Sequence, residues 1–441
     1  MSSPPNENGN RSSAFALPTG AWLTVALLWL AGGSNYLTRT MLTTMRGSIL
    51  EEIPMTEAQF GLLTSGFLWV YAFASPFGGY FADRFSRRLV VIASIFAWST
   101  ITWMTSYAKT FDQFLLLRAL LGLSEAFYIP AAVALIIDYH RGPTRAFATG
   151  LHTTGLIFGS TIGGLGGMLA ENHGWSYAYT VIGLPNLVFG LLLFLFLRDA
   201  PREHLSQIPV AAPRAPPPPA NIRLTEAIWS LFKTGPFYYL IACWCLQGAV
   251  GWMIIGWMPT HMREQFAMGQ GAAGFSALGY VYATQTLGLL VGGFWSDRWS
   301  LTQPRARVII PAIGFLLAAP AFWLTGSSHL LIFTIMSLVL WGLAEGFLGA
   351  NMMPMICLIV DPRYRATALG VLNCFTAICG GLAIYGVGAL RDAKVNIGFI
   401  LTIAGMGVFL CSVTLWLINT SLKKAGKTKW EPANRIPAAG N

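Results

Sequence analysis

Long apolar segments separated by short polar stretches dominate the chain. Twelve of these segments have about 20 residues or more, which is the length that an α-helix needs to cross the apolar layer of a bilayer. They lie near residues 20–45, 57–80, 89–108, 112–138, 145–171, 177–197, 236–262, 273–295, 307–325, 330–360, 364–390 and 397–420. The pattern predicts an all-α integral membrane protein with twelve transmembrane helices.

A polar, proline-rich stretch near the middle, "RDAPREHLSQIPVAAPRAPPPPANIRLTEAIWSLFK", leaves six apolar segments on each side. This composition is typical of an extended linker. It predicts five parts in chain order: an N-terminal segment (1–19), an N-terminal six-helix bundle (20–197), a linker (198–235), a C-terminal six-helix bundle (236–420) and a tail (421–441).

The two halves of the chain repeat one another. "GGYFADR" at 78–84 matches "GGFWSDR" at 292–298, and "LGLSEAF" matches "WGLAEGF" in a register that places Glu125 and Glu345 220 positions apart. Such repeats indicate two pseudosymmetric bundles, with a substrate site expected at the interface between the halves.

Composition and charge agree with a membrane protein, since 54% of the 441 residues are hydrophobic and 10% are charged. Of the 28 Lys and Arg residues, 21 lie at the two termini and in the loops after even-numbered segments, and five lie on the other side. This bias predicts that both termini are cytoplasmic. We call the two sides the predicted cytoplasmic side and the predicted outer side. The net charge of +10 suits an anionic inner leaflet and requires no nucleic acid.

Targeting signals favour a bacterial inner membrane. The first 20 residues are polar and lack the apolar core and cleavage site of a signal peptide, so we expect the first helix to direct insertion. The six cysteines fall inside predicted helices, which argues against a disulfide framework. The glycosylation-type triplets at 10–12 and 419–421 both lie on the predicted cytoplasmic side. This placement suits a bacterial inner membrane better than a glycosylated vesicular transporter.

Arg39 lies inside the first apolar segment and needs an explanation, because an arginine at the bilayer centre costs from about 3 to more than 10 kcal/mol. Such a residue usually has a partner. Arg118 and Glu125 lie seven residues apart on one face of the fourth segment, about 10 Å from each other. Flanking arginines favour an ionised carboxylate, whereas burial favours a protonated one. A proton-coupling residue needs this kind of balance.

These residues carry a family resemblance that covers roughly 20–420. "GGYFADRFSRR" resembles the signature loop between the second and third helices of the major facilitator superfamily. "NYLTRTML" and "RALLGLSEAFYIPA" resemble elements of the anion:cation symporters (the sialin, vesicular glutamate and galactonate transporters) and of the Spinster-type transporters. The resemblance implies the major facilitator fold, in which two six-helix bundles rock about a central cavity.

The resemblance also implies roles for the buried charges. Arg39 would bind the substrate anion or gate the site, Glu125 would carry the proton, and Arg118 would set the pKa of Glu125. Thr38 occupies the place where many relatives have an aspartate. This departure argues against a proton relay of two carboxylates.

Charges in the two repeated loops suggest a gate on the predicted cytoplasmic side. A carboxylate is stabilised at a helix N-terminus, and arginines can bridge neighbouring helix ends. The charges could therefore latch this side shut, or they could cap helices and fix topology. The candidate gate residues are Asp83, Arg84, Arg87, Arg88, Asp297 and Arg298.

Other polar residues within the apolar segments are weaker candidates. Asn35 lies one turn before Arg39 and could orient its guanidinium or contact substrate. His152 could transfer protons or be a packing residue, and Glu345 could be a second proton site or a neutral acid bonded to a backbone carbonyl. Tyr280, Gln285, Asn351 and Asn373 are further candidates for substrate binding, and interhelical hydrogen bonds are the alternative for them. Tyr36 and Tyr71 are also candidates, and a lipid-facing position is the alternative for these aromatic residues.

The sequence excludes ATP-driven transport by this chain alone, because it has no Walker motif and no soluble domain large enough for a nucleotide. A zinc motif of the HExxH type is also missing. We therefore predict neither an enzyme nor a bound cofactor or metal, and an ion gradient as the energy source.

Three functional hypotheses follow. The first is proton-coupled symport of a small organic anion, such as a sugar acid or another carboxylate. The second is a Spinster-like transporter of a lysolipid or other amphiphile, and the third is a membrane sensor with the same fold that does not transport. The expected partners are a small anionic substrate, protons and the lipid bilayer, and a monomer is expected to be functional.

Overall fold

The structure is a computed structural model that describes residues 17–140, 144–201 and 224–424. These ranges contain sixteen α-helices and no β-strand. In chain order the helices are α1 (Ala21–Thr44), α2 (Arg46–Glu52), α3 (Glu57–Arg84), α4 (Arg87–Thr105), α5 (Phe111–Glu125), α6 (Tyr128–Tyr139), α7 (Arg145–Thr161), α8 (Gly164–His173), α9 (Trp175–Phe196), α10 (Leu224–Phe232), α11 (Gly235–Phe266), α12 (Gln270–Ser300), α13 (Ala306–Ser327), α14 (Leu331–Ile359), α15 (Arg365–Asp392) and α16 (Ile397–Lys424).

Ten helical segments in the described ranges are long and apolar enough to cross a membrane, and two of these segments are the consecutive pairs α5–α6 and α7–α8. The two other long helices, α1 and α12, have 24 and 31 residues. At about 1.5 Å per residue, each of them is also long enough to span the apolar layer. Their lower hydropathy reflects polar side chains within the span, Arg39 among them. The twelve predicted spans therefore correspond to twelve helical segments.

The fourth span is broken immediately after Glu125, whereas the sequence pattern predicted a continuous segment at 112–138. Pro130 explains the break, because it has no N–H to donate to the carbonyl of Ala126 and its ring crowds that carbonyl. The neighbouring α3 packs tightly against this point. A Cβ atom at Gly78 would lie 2.5 Å from the Ala126 carbonyl oxygen. The break places Glu125 at a kink supported by close backbone packing.

Glycines at spacings of four let the fifth span approach α1 closely. A Cβ atom at Gly155 would lie 2.6 Å from the carbonyl oxygen of Trp29, and one at Gly159 would overlap the backbone of Gly33. No larger residue fits at these positions without a shift of the helices. Close helix packing, which small residues permit in membranes, therefore accounts for the glycines of this span.

Backbone contacts divide the chain into two compact units. Unit one comprises Met1–Asn221, Gly251–Tyr282 and Ala377–Asn396, and unit two comprises Ile222–Val250, Ala283–Thr376 and Ile397–Asn441. In unit one, α1 packs on α7, α3 on α5, and α4 on α9. In unit two, α13 packs on both α14 and α16. The domain boundaries drawn from the sequence, at 20–197 and 236–420, stay predictions.

Most of the predicted linker, residues 202–223, lies outside the described residues, as do residues 1–16 and 425–441. The described end of the linker differs from the prediction of an extended stretch, because residues Leu224–Phe232 form α10. This part, "LTEAIWSLF", contains neither proline nor glycine. Its apolar side chains recur at helical spacing, and Leu231 is buried. The proline-based argument for extension does not apply to these nine residues.

Candidate functional site

The Arg39 guanidinium and the Glu125 carboxylate form a buried ion pair. Nη2 and Nε of Arg39 lie 3.0 and 3.3 Å from Oε2 of Glu125. The side chains are 5% and 0% exposed. The second half of α1 supplies Arg39, and the kink that ends α5 supplies Glu125. A buried charge without a partner is strongly destabilising. Here each side chain of the pair supplies the opposite charge that the other one needs. The structure thus joins the two residues that the sequence singled out.

Thr38 and Asn35 complete the polar contacts of this pair. Oγ1 of Thr38 lies 2.8 Å from the carbonyl oxygen of Asn35 and 3.1 Å from Oε1 of Glu125. A hydroxyl can donate one hydrogen bond and accept others. Thr38 can therefore donate to an ionised Glu125, or donate to Asn35 while accepting from a protonated Glu125. The Asn35 amide oxygen also accepts from Nη2 of Arg39 at 3.4 Å.

Three aromatic rings surround the Arg39 guanidinium. Its Cζ lies 4.4, 5.0 and 4.5 Å from the ring centroids of Tyr36, Phe67 and Tyr71. Rings at these distances stabilise a cation through their π faces. Tyr36 and Tyr71 were sequence candidates, whereas Phe67 was missed. Its position one turn before Tyr71, on the same face of α3, is the signal that could have identified it.

Arg118 is buried but is not hydrogen-bonded to Glu125 among the described residues. Its Nε donates to the carbonyl of Leu63 at 3.4 Å, and its Cζ lies 4.8 Å from the ring centroid of Phe67. Nη1 and Nη2 of Arg118 have no hydrogen-bond partner within those residues. The ring of Phe67 therefore contacts both buried arginines. The role of Arg118 in setting the proton affinity of Glu125 stays a prediction.

His152 lies in a separate contact with Tyr128 rather than in the ion pair. Its Nε2 is 3.0 Å from the Tyr128 hydroxyl, and that hydroxyl is also 2.6 Å from the carbonyl oxygen of Leu28. Both side chains are buried. This arrangement joins α7, α6 and α1. It is compatible with either interpretation of His152 drawn from the sequence.

Of the candidates in the second half, Glu345 has a polar partner on a neighbouring helix of unit two. The side chain of Gln247 hydrogen-bonds to the Glu345 carboxyl, and Oε1 of Glu345 has no partner among the described residues. Asn351 in the same unit is buried, and its amide nitrogen donates to the Phe347 carbonyl at 2.9 Å. This bond lies within α14, so it does not require a substrate.

The three remaining binding candidates differ in exposure and in unit. Tyr280, in unit one, is exposed. In unit two, Gln285 is partly buried and Asn373 is exposed. Their involvement in substrate binding stays a prediction.

The predicted gate residues make contacts at neighbouring helix ends of unit one. Arg87, at the start of α4, forms an ion pair with Asp138 near the end of α6. The backbone N–H of Arg88 donates to Asp199 at 3.0 Å, so this carboxylate lies at the N-terminus of α4. Arg84 donates to the Tyr80 hydroxyl of its own helix at 3.2 Å.

The other gate candidates are exposed. Asp83 and Arg298 lie at the surface. Asp297 pairs with Arg307 at 3.0 Å in unit two. The two sequence interpretations of these loops, a latch and helix capping, stay predictions.

The sequence analysis missed an ion cluster on the predicted outer side, within unit one. Nε of Arg46 donates to Glu57 at 2.9 Å, and Nη1 of Arg46 donates to Glu264 at 3.3 Å. Arg391 donates to Glu264 at 2.8 and 3.0 Å and lies 3.4 Å from Glu57. We call Arg46, Glu57, Glu264 and Arg391 the outer-side ion cluster. It joins α2 and α3 of the first repeat half to α11 and α15 of the second.

Trp257 and Asp392 support this cluster. The Trp257 ring centroid lies 6.0 and 5.5 Å from Cζ of Arg46 and Arg391, and its indole N–H donates to the Ile384 carbonyl at 3.0 Å. The Asp392 carboxylate accepts the first backbone N–H groups of α3 at 2.9 Å each. A carboxylate at this position is favourable for the helix dipole.

Comparison with known proteins identifies the family. The sequence profile of the Major Facilitator Superfamily matches residues 28–384. The chain is 26% identical over 379 residues to an MFS-type efflux pump of Mycolicibacterium smegmatis, an alignment that covers 85% of this chain and 86% of the relative. It is 23% identical over 422 residues to a hexuronate transporter of Bacillus subtilis, with 92% and 97% covered.

Among solved structures, the chain resembles a bacterial homologue of the human lysosomal transporter Spinster in an inward-facing and occupied conformation. The TM-score is 0.74 at 22% identity, and the match covers 95% of this chain and 100% of the other. The predicted fold class, twelve transmembrane helices in two six-helix bundles, is confirmed, and so is the resemblance to the two named groups. The chain therefore belongs to the Major Facilitator Superfamily, a family of membrane transporters rather than of enzymes.

Proposed function

We propose that this chain is a secondary active transporter that works by alternating access and couples protons to the symport of a small organic anion. The observation that carries the proposal is the buried ion pair of Arg39 and Glu125, 3.0 Å apart. Its chemistry provides both an anion receptor and a proton acceptor at one place. We further propose a bacterial inner membrane, cytoplasmic termini and a functional monomer.

Proton coupling follows from competition for the Arg39 guanidinium. A substrate carboxylate that binds Arg39 displaces Glu125 from it. If Glu125 remained ionised, the broken buried pair would cost about 3–5 kcal/mol. A proton on Glu125 removes that cost, because the neutral acid can donate to Thr38 and requires no cation. The anion and the proton therefore bind together, and the net charge of the site stays constant.

The surroundings of Arg39 favour a sugar acid or a similar carboxylate. A guanidinium can bind a carboxylate through two parallel hydrogen bonds. Tyr36 and Tyr71 contribute rings for the apolar face of a substrate and hydroxyls for its polar groups. The Bacillus subtilis relative is named for hexuronate, which is a sugar acid. This name supports the substrate class for the present chain.

Alternating access requires a closure on each side of the membrane. We assign the outer closure to the outer-side ion cluster, since its four charges join helices of both repeat halves on the predicted outer side. The gate residues on the predicted cytoplasmic side would perform the opposite closure. Opening of the outer side then requires α2 and α3 to move apart from α11 and α15.

The test uses the purified full-length protein in liposomes with an imposed pH gradient. With an acidic exterior, radiolabelled glucuronate or another member of a panel of sugar acids should accumulate above its equilibrium level, and a protonophore should abolish the accumulation. An acidic interior reports transport in the opposite direction. The proposal fails if no panel member accumulates. Faster flipping of a labelled lysolipid would then favour the Spinster-like alternative, and glucuronate binding without flux would favour a sensor.

A further inference from the structure

We infer that Tyr128 and His152 form a clamp that holds the kink of the fourth span, so that His152 positions Glu125 rather than carrying protons itself. We call the contact of Tyr128 with His152 and the Leu28 carbonyl the kink clamp. The clamp itself rests on the contacts of Tyr128 with its neighbouring helices. Only the importance of Glu125 for transport rests on the proposed function.

The clamp acts at the first residue after the break. Tyr128 begins α6, three residues beyond Glu125. Its hydroxyl lies 2.6 Å from the carbonyl oxygen of Leu28 in α1 and 3.0 Å from Nε2 of His152 in α7. The Trp98 ring of α4 makes a T-shaped contact with the Tyr128 ring, with the centroids 5.3 Å apart. Three helices thus fix the start of α6.

The kink needs such support because its own backbone bonding is incomplete. Pro130 provides no N–H for the Ala126 carbonyl, so the two residues between α5 and α6 are less constrained than the rest of the span. A shift of α6 at this point would move Glu125. The clamp opposes the shift through α1, the helix that also carries Arg39. It therefore fixes both members of the ion pair with respect to one framework.

The hydrogen count of the clamp requires a hydrogen on Nε2 of His152, which a neutral imidazole can supply. The Tyr128 hydroxyl has one hydrogen, and the shorter contact, 2.6 Å, is to the Leu28 carbonyl, which can only accept. Nε2 of His152 must then donate to the hydroxyl, and a neutral tautomer with hydrogen on Nε2 does this without any charge. A Cβ atom at Gly32 would lie 3.3 Å from both Nε2 and the hydroxyl oxygen. The clamp therefore fills the space beside α1.

Carbodiimide labelling of Glu125 tests the clamp without any substrate. Dicyclohexylcarbodiimide reacts with protonated carboxyl groups in apolar surroundings, and a bound guanidinium protects a carboxylate from it. Labelling rates at Glu125 are measured by peptide mass spectrometry on the purified full-length protein. Arg39→Ala defines the rate of an unprotected Glu125. Glu345, in unit two, is the internal control in every sample.

Loss of a single hydrogen bond in the clamp should expose Glu125 to the reagent. Tyr128→Phe and His152→Leu are expected to increase the labelling rate at Glu125 roughly three- to tenfold, with Glu345 unchanged. His152→Gln should keep the wild-type rate, because its amide can donate from the position of Nε2 but cannot carry a proton. This rescue would not be seen if His152 acted through its charge.

Two results would overturn the inference. One is a wild-type labelling rate in Tyr128→Phe, and the other is a His152→Gln variant that labels as fast as His152→Leu. If His152→Leu does not yield monodisperse protein, Tyr128→Phe decides, since it removes one oxygen atom. Failure of the proposed function is detected separately, by Glu125→Gln liposomes that still accumulate a sugar acid under a pH gradient.

Discussion

Nη2 of Arg39 lies 3.0 Å from Oε2 of Glu125, although 86 positions separate the two residues. The pair unites the kink of the fourth span with the polar half of the first helix. A buried arginine with one carboxylate partner can exchange that partner for a substrate carboxylate only if the first carboxylate becomes neutral. The following predictions test each part of this exchange.

Arg39→Ala should abolish glucuronate binding and transport, because it removes the anion receptor. Arg39→Lys should bind roughly 10- to 100-fold more weakly, since an ammonium cannot make both parallel hydrogen bonds to a carboxylate. Isothermal titration calorimetry with glucuronate measures binding by both variants, and Arg263→Lys on the predicted outer side is the matched control. Normal transport by Arg39→Ala would make this arginine structural, and the organic-anion assignment would be lost with it.

Glu125→Gln should keep glucuronate binding and counterflow exchange but lose accumulation driven by a pH gradient. A permanently neutral side chain mimics the protonated state and leaves Arg39 available to substrate. The measurement compares exchange and accumulation in the same liposomes, with Glu51→Gln, which changes an exposed carboxylate of α2, as the control. Accumulation by Glu125→Gln under a pH gradient alone would show that another residue couples transport, and His152 and Glu345 would be tested next.

Thr38→Val should reduce accumulation under a pH gradient, whereas Thr38→Ser should remain close to the wild type. The reason is that the Thr38 hydroxyl lies 3.1 Å from Oε1 of Glu125 and can serve both of its protonation states. Loss of one such bond is worth about 0.5–1.5 kcal/mol, or roughly a two- to tenfold change in the uptake rate. Equal activity of the Val and Ser variants would exclude a role for the hydroxyl.

The topology prediction is tested by labelling introduced cysteines in intact cells. A reagent that does not cross the membrane should reach cysteines placed near Glu51 and Arg391 but not near Arg87 or Pro217, because the distribution of basic residues places the last two on the cytoplasmic side. Permeabilised cells provide the control for reactivity. External labelling at Pro217 would reverse the assigned orientation.

The spans and the central pair could be predicted from the sequence because each follows from a local requirement. A bilayer requires about 20 apolar residues per helix, and a buried arginine requires a counterion. The contacts of Arg118 could not be predicted in this way. Helical spacing placed it on the face of Glu125, yet its guanidinium contacts Leu63 and Phe67, because the contacts of a long side chain depend on which helix packs beside it.

Two other features were missed for related reasons. The kink after Glu125 depends on Pro130, which is visible in the sequence. The apolar pattern alone, however, does not reveal that the helix is broken there. The outer-side ion cluster joins residues as distant as Arg46 and Arg391, all of them near helix ends. Charges at helix ends usually face water, and their pairing depends on how helices far apart in the chain come together. No local pattern encodes that arrangement.

The outer-side ion cluster should control access from the predicted outer side. Glu264→Gln and Arg391→Gln each remove contacts between helices of the two repeat halves, and exposed pairs of this kind contribute about 0.2–1 kcal/mol each. We therefore expect a two- to fivefold rise in external labelling of a cysteine placed at the buried Thr43, which lies one turn before Arg46. The parent chain with its six native cysteines provides the background.

The matched control is Arg363→Gln, which breaks the exposed Asp361–Arg363 pair of unit two, 3.0 Å apart, on the predicted cytoplasmic side. Arg363→Gln removes one ion pair, whereas each cluster variant removes two, and the Asp361–Arg363 pair connects no helices of the two repeat halves. Labelling at Thr43 should therefore stay at the wild-type rate in Arg363→Gln. If the cluster variants also leave this rate unchanged, the outer closure must be made by uncharged contacts such as those of Trp257, and the cluster would serve only to fix helix ends.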